Sequence, residues 1–281
     1  MMTKNQIKDR LELLRTEFSN AIDGLSDGEN LESPTQKTGN CSMHGEFTQW
    51  TRKIPFFKGE FKTQCPHCLR EEITKLESDL KEIDDREKRR FIADLKERSN
   101  IPLRFANASF ENYQVTDKNK LAKLACQRYA EKWAERFKQG GGLVFCGKPG
   151  TGKNHLACAI ANSVIEQHQA EAFITTAMRI IRKVKSTWDR NAEMTEEDVI
   201  RVYCQKDLLI IDEVGVQFGT DAEKIILFEI INERYAQMLP TILISNLTES
   251  ELSNYIGDRI IDRMKEGQGA VIKFDWDSYR K

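Results

Sequence analysis

Leu143-Val144-Phe145-Cys146 runs straight into Gly147-Lys148-Pro149-Gly150-Thr151-Gly152-Lys153-Asn154, and a second apolar run, Leu156 to Ile165, follows. This order predicts a strand, a glycine-rich turn and a helix. Glycines let successive backbone N–H groups point into one concave nest. The helix N-terminus adds the positive end of its dipole, and Lys153 adds a point charge. Such a nest holds the phosphates of a nucleotide, so Gly147, Pro149, Gly150, Thr151, Gly152, Lys153 and Asn154 are the candidate nucleotide-binding residues. A loop of this kind normally ends in Ser or Thr, whose hydroxyl touches Mg²⁺. Asn154 stands there instead; an amide oxygen can ligate Mg²⁺ or orient a water that does.

Downstream, Asp207-Leu208-Leu209-Ile210-Ile211-Asp212-Glu213 is an apolar strand ending in two acids. With a phosphate loop upstream, Asp212 is expected to hold the Mg²⁺ shell and Glu213 to polarise an attacking water. Thr241 to Asn246 is a further buried strand ending in a polar residue, and Asn246 is placed to hold that water beside the γ-phosphate. Strands alternate with helices from about residue 100 onward. The expected fold is therefore α/β, a P-loop parallel sheet with helices on both faces and the nucleotide at the strand C-terminal ends. Asn119 to Gln139 reads as one long helix whose apolar face includes Leu121, Leu124, Ala125, Ala130 and Trp133. The run at 177–206 reads as helical and carries a positive patch at Arg179, Arg182, Lys183 and Lys185.

The N-terminal third has different chemistry. Cys41-Ser42-Met43-His44 and Cys65-Pro66-His67-Cys68 are two tight pairs, each able to present two side chains to one ion. Cys41, His44, Cys65 and Cys68 then complete a tetrahedral Zn²⁺ shell, with His67 as the competing ligand. The segment between them, with Phe47, Trp50, Ile54, Phe56, Phe57 and Phe61, reads as short strands of a zinc ribbon. Arg52, Lys53, Lys58, Lys62 and Arg70 among these aromatics are compatible with contact to single-stranded nucleic acid, and equally with a structural or protein-docking ribbon. Before the ribbon, Thr3 and Gln6 are spaced as a capping box for an amphipathic helix carrying Ile7, Leu11, Leu14, Phe18 and Ile22, which either folds onto its own domain or docks on a partner. Residues 23–40 read as a linker. After the ribbon, Leu69, Ile73, Leu76, Leu80 and Ile83 form a coiled-coil seam in a helix over 69–98. The expected division is a module over 1–98 and an ATPase domain over 99–281.

Net charge is −1, so no global field draws the chain to nucleic acid or membrane, and any such contact must come from a local patch. No apolar run approaches the roughly 18 residues of a membrane span, and the N-terminus has no signal-peptide pattern. Seven cysteines, an odd number, suit a reducing cytoplasm, with thiols used for packing or metal.

Five separated motifs carry a family resemblance over about residues 100–280: Ser109-Phe110-Glu111-Asn112-Tyr113; Gly147 to Asn154 with His155-Leu156-Ala157; Ile211 to Gln217; Asp262-Arg263-Met264; and Phe274 to Arg280. In these the chain resembles the DnaC-type helicase loaders of the IstB/DnaC-like branch of AAA+ ATPases. Loaders of the enteric bacteria carry the same Asn after the loop lysine. The resemblance implies ATP and Mg²⁺ as cofactors and slow turnover stimulated by assembly or single-stranded DNA. It also implies ATP-dependent self-assembly and delivery of the replicative hexameric helicase onto single-stranded DNA. Carried over by position, Lys153 and Asp212 bind ATP·Mg²⁺ and Glu213 supports hydrolysis. Asn246 resembles sensor 1, Arg263 the arginine finger that reaches a neighbouring subunit's γ-phosphate, and Arg280 sensor 2. The Cys/His module departs from that family and suggests a phage or prophage variant, whose residues 1–98 are expected to bind the helicase or a replication initiator. The competing readings are an IstB-like transposition helper ATPase and a non-hydrolysing, ATP-switched adaptor.

Overall fold

Thr3 opens the first helix, α1 (Lys4–Asp23), through the expected reciprocal capping box with Gln6. Strands β1 (Thr35–Cys41), β2 (Gly45–Lys53) and β3 (Glu60–Lys62) follow as an antiparallel sheet in that order. Helix α2 (Pro66–Arg98) comes next. The computed structural model describes residues 2–26, 32–54, 59–216 and 221–279. It divides into two compact units, Met1–Arg90 and Phe91–Lys281.

In the first unit, Ile7, Leu11 and Leu14 of α1 are buried with Leu69 and Leu76 of α2, and Phe18, Ile73, Leu80 and Ile83 pack around them. The apolar stripe of α1 is thus consumed inside its own unit rather than offered to a partner, and the seam on α2 has α1 as its mate. The reading of residues 23–40 as linker is corrected at its end. Thr35 to Cys41 pairs residue for residue with Thr51 to Gly45, with polar side chains turned outward, so composition alone looks like a loop. Arg52 is withdrawn from any external role: it is buried, and its Nη2 donates to the carbonyls of Leu25 (3.2 Å) and Ser26 (2.8 Å). The expected ribbon residues Phe56, Phe57 and Lys58 lie outside the described residues. The units part at Arg90/Phe91 inside α2, not after residue 98, because Ile92 and Leu95 pack into the second unit's core.

The second unit continues with α3 (Lys120–Glu131), α4 (Trp133–Gln139), β4 (Leu143–Gly147), α5 (Lys153–His168), β5 (Ala172–Thr176), α6 (Ala177–Lys185), α7 (Glu196–Cys204), β6 (Leu208–Asp212), α8 (Asp221–Ala236), β7 (Thr241–Ile244), α9 (Glu249–Ile256), α10 (Asp258–Lys265) and β8 (Ala270–Phe274). The strands form one parallel sheet in the order β5-β6-β7-β4-β8. Period-two alternation assigns their side chains to two cores. Leu143, Phe145, Leu208, Ile210, Ile242 and Ile244 face the layer of α3 and α5. Val144, Leu209, Ile211 and Leu243 face the layer of α6 to α10. Both faces are covered, as the near-continuous apolar strands predict. The single long helix expected over 119–139 breaks at Lys132 (φ −96°, ψ 24°). Its buried face is Ala122, Cys126, Tyr129, Ala130 and Trp133, whereas Leu121 and Leu124 are exposed. Small side chains at 122 and 126 suit close packing on α5, which itself buries Ala157, Cys158 and Ala161. Among the described residues no helix is long and apolar enough to cross a membrane.

Arg234 is fully buried and has no carboxylate partner among the described residues. Its guanidinium donates to Thr241 Oγ1 (2.9 Å) and to the carbonyls of Tyr203 (2.9 Å), Lys206 (2.7 Å) and Pro240 (2.7 Å). Burial pushes its pKa down to about 10, so it stays charged at neutral pH. It ties α8 to the C-terminal end of α7 and the start of β7. Arg234→Met takes the donor from the Tyr203 and Lys206 carbonyls, while Pro240 O keeps the Leu209 N–H (3.3 Å), and is expected to lower stability by about 3 kcal/mol in denaturant unfolding. A loss below about 1 kcal/mol contradicts this role.

Candidate functional site

The strand order sets the crevice. From β4 the chain leaves through α5 on one face, whereas the neighbouring β7 is followed by α9 and α10 on the other, so the loops after β4 and β7 diverge. Ligands of open α/β sheets bind at such a point. The glycine loop sits there. Gly147 has φ 123°, and a side chain on it meets the backbone of Phe274 in β8. Gly152 has φ 93°, and a Cβ would stand 2.8 Å from the Tyr113 ring. Only glycine fits at either position.

Neighbouring segments hold the loop by its first two N–H groups and by two of its carbonyls, so its geometry is set from outside. The Gly147 N–H donates to Leu247 O (2.9 Å) and the Lys148 N–H to Phe274 O (2.8 Å). The Tyr279 N–H donates to Gly150 O (2.9 Å), and the Trp276 indole N–H to Thr151 O (2.9 Å). Tyr113 OH also reaches Thr151 O, at 3.3 Å, and Thr151 Oγ1 closes the turn on Lys148 O (2.8 Å). Lys153 is buried at the start of α5, and its Nζ donates to Gly147 O and Lys148 O, both at 2.7 Å. Burial lowers its pKa to about 8, so it still carries charge at neutral pH.

Asn154 and Asp212, 58 residues apart in sequence, meet: the amide nitrogen lies 2.5 Å from Asp212 Oδ2. Burial pushes the Asp212 carboxyl up, while the Glu213 N–H (2.7 Å from Oδ1) and the Asn154 amide oppose that shift. A carboxylate held by two donors at the mouth of the phosphate loop fits a hard cation, which takes oxygen ligands. Glu213 follows at φ 59°, a left-handed conformation uncommon for Glu, and its side chain is exposed. The chain therefore turns sharply off β6 at the residue expected to face water.

The remaining expected site residues are placed less closely. Asn246 is exposed two residues beyond β7, in the loop whose Leu247 carbonyl accepts from Gly147. The buried polar residue there is Ser245, which donates to Val214 O (2.6 Å) and accepts from the Leu247 N–H (3.1 Å). Arg263, on α10, bonds Asn232 Oδ1 and lies over the Tyr235 ring at 5.0 Å, both on α8. Arg280 and Gln217 lie outside the described residues. Arg179, Arg182 and Lys183 are exposed on α6, whereas Lys185 pairs with Glu223 (2.9 Å).

In the first unit the two knuckles converge. The ligand atoms of Cys41, His44, Cys65 and Cys68 all lie within 4.8 Å of one another. Cys41 Sγ is 3.5 Å from Cys68 Sγ. His44 Nδ1 is 3.7, 3.8 and 3.3 Å from the sulfurs of Cys41, Cys65 and Cys68. A tetrahedron with Zn–S near 2.3 Å and Zn–N near 2.05 Å has edges of about 3.8 and 3.6 Å, so the four residues fit Zn²⁺. His44 Nε2 faces Glu71 Oε1 at 3.2 Å, which leaves Nδ1 turned to the sulfurs. The sequence reading missed Glu71, although it sits one helical turn after Cys68. Backbone N–H groups of Met43 and His44 hold the Cys41 thiol down to about 6, the thiolate form that binds metal. The hydrogen bond to Cys41 pushes Cys68 up. His67 stacks on His44 with ring centroids 5.4 Å apart and stays outside the cluster.

The profile described as IstB-like ATP binding protein matches residues 73–281, so the Cys/His cluster precedes the matched region. The replicative helicase loader DnaC of Buchnera aphidicola subsp. Schizaphis graminum is 38% identical over 185 residues, 66% of this chain and 74% of that protein. The DnaC of Escherichia coli K12 is 38% identical over 184 residues, 65% of this chain and 73% of its own. A crystal structure of the DnaC helicase loader superposes with TM-score 0.55 at 20% identity, over 62% of this chain and all of that one, a likeness of fold.

Proposed function

Because this chain belongs to the IstB-like ATP-binding family of AAA+ proteins, we propose that it is an ATP-hydrolysing loader that binds a bacterial replicative hexameric helicase and delivers it onto single-stranded DNA. The observation that carries the reading is the meeting of Lys153, Asn154 and Asp212 at the sheet's switch point, in a chain 38% identical to helicase loaders over most of their length. Lys153 and the loop N–H groups bind the phosphates. Mg²⁺, held by Asp212, supplies charge neutralisation there. Glu213 accepts the proton of the attacking water and Asn246 orients that water. The exposed arginines and lysine of α6 face single-stranded DNA. Zn²⁺ on Cys41, His44, Cys65 and Cys68 holds the N-terminal module together. Residues 1–98 bind the helicase or a replication initiator, in the cytoplasm, where thiols stay reduced.

Co-purification of the tagged chain with the host replicative helicase, with and without ATP, tests the reading. A complex responsive to nucleotide is expected; none in either condition refutes it. Arg263 serves a second copy's nucleotide in an ATP-dependent oligomer. Its hydrogen bond to Asn232 and its place over the Tyr235 ring, both on α8, hold its side chain at the end of α10. Arg263→Ala is expected to keep ATP affinity while hydrolysis in the assembled state drops on the order of 10²-fold. Unchanged turnover at high protein concentration counts against it.

A further inference from the structure

The reading of Lys153, Asn154 and Asp212 as the metal side of a nucleotide site is the premise here. Asp212 has both carboxylate oxygens engaged, Oδ2 by the Asn154 amide at 2.5 Å and Oδ1 by the Glu213 N–H at 2.7 Å. An ionised carboxylate only accepts hydrogen bonds, so the amide turns its nitrogen toward Asp212. A Ser or Thr hydroxyl at this position is one atom with two uses: its O–H donates to the carboxylate while a lone pair on the same oxygen serves a cation. A planar amide splits those uses between two atoms that point apart. With Nδ2 committed to Asp212, the amide oxygen cannot stand beside the carboxylate as a second ligand. Lys153 is committed as well, to the carbonyls of Gly147 and Lys148. The loop's own carbonyls, not the Asp212 carboxylate or a metal, thus position that charge in the nest.

We propose that Asn154 clamps Asp212 and thereby separates nucleotide binding from Mg²⁺ binding, so that ATP is held with little need for the cation. A cation reaching Asp212 still finds a free lone pair on each oxygen, but it meets a carboxylate whose charge is shared with two donors and gains no ligand from Asn154, and this weakens its uptake.

The full-length chain is titrated with a fluorescent ATP analogue in Mg²⁺ and in EDTA, as wild type and as Asn154→Ser. Wild-type affinity is expected to fall by about threefold or less in EDTA, and the serine variant's by about thirtyfold or more. At fixed nucleotide, the Mg²⁺ concentration at half effect is expected to drop about tenfold in the variant. Equal Mg²⁺ dependence in the two proteins overturns the clamp while leaving the nucleotide site intact. Failure of the wild type to bind nucleotide in either buffer overturns the site itself and the clamp with it. Should the serine variant melt early, Asn154→Thr, which keeps a hydroxyl with an added methyl, carries the same comparison.

Discussion

Replacing Cys65 by serine is expected to release the metal from the first unit and to unfold the three-stranded sheet with it. The sheet has almost no apolar interior. Its buried positions are Gly39, Thr51 and Arg52, and Phe61 and Ile54 are exposed. The apolar cluster of this unit lies between α1 and α2 instead. Hydrophobic burial therefore cannot hold β1 to β3 against chain entropy, whereas a Cys₃His zinc site contributes on the order of 10 kcal/mol or more to a small domain. Its ligands come from the end of β1, the β1–β2 turn and the entry to α2, so one ion ties the sheet to the helix. Serine nearly matches cysteine in size but is a poor zinc ligand. About one zinc per chain is expected in the native protein and little in Cys65→Ser. Limited proteolysis should then cut within 35–62 while residues 91–281 stay resistant and still bind ATP. Native protein without zinc, or a variant whose sheet resists protease as well as wild type, refutes the assignment.

Glu213→Gln is expected to slow ATP hydrolysis by about 10³-fold while changing nucleotide affinity by no more than about threefold. Glutamine keeps the shape and the exposed position but cannot accept a proton. The backbone contribution of this residue, its N–H to Asp212 Oδ1, survives the substitution. The left-handed φ of 59° is equally hard for Gln, so the turn off β6 should not relax. Steady-state turnover with and without single-stranded DNA, beside an ATP-binding titration, separates the two effects. Wild-type turnover in the variant removes Glu213 from the chemistry. Loss of binding in parallel with turnover reassigns it to holding the nucleotide.

Period and capping announced α1, but an amphipathic stripe does not name its mate. The mate proved to be α2, more than forty residues on. The face of α3 was misjudged because leucines outrank alanine and cysteine as core candidates, while close helix packing prefers the small pair Ala122 and Cys126. Arg234 went unnoticed although it follows Ile230 and Ile231 at four- and three-residue spacing, on the face that turns inward. A charge on an apolar face is a signal of an internal tether, but its acceptors are backbone carbonyls, which have no sequence signature.

By itself the sequence determined the parallel α/β sheet, the phosphate loop, the paired acids and the two Cys/His knuckles. Each is a local pattern in which residue type and spacing dictate backbone geometry or ligand chemistry directly. Only the tertiary structure decided that Asn154 faces Asp212 across 58 residues of chain, that the tail at Trp276 and Tyr279 reaches back to the loop carbonyls, and that Glu71 orients His44. Those contacts depend on which strands lie side by side and where their ends fall. That is set by how the whole chain buries its apolar faces, not by any one stretch of it.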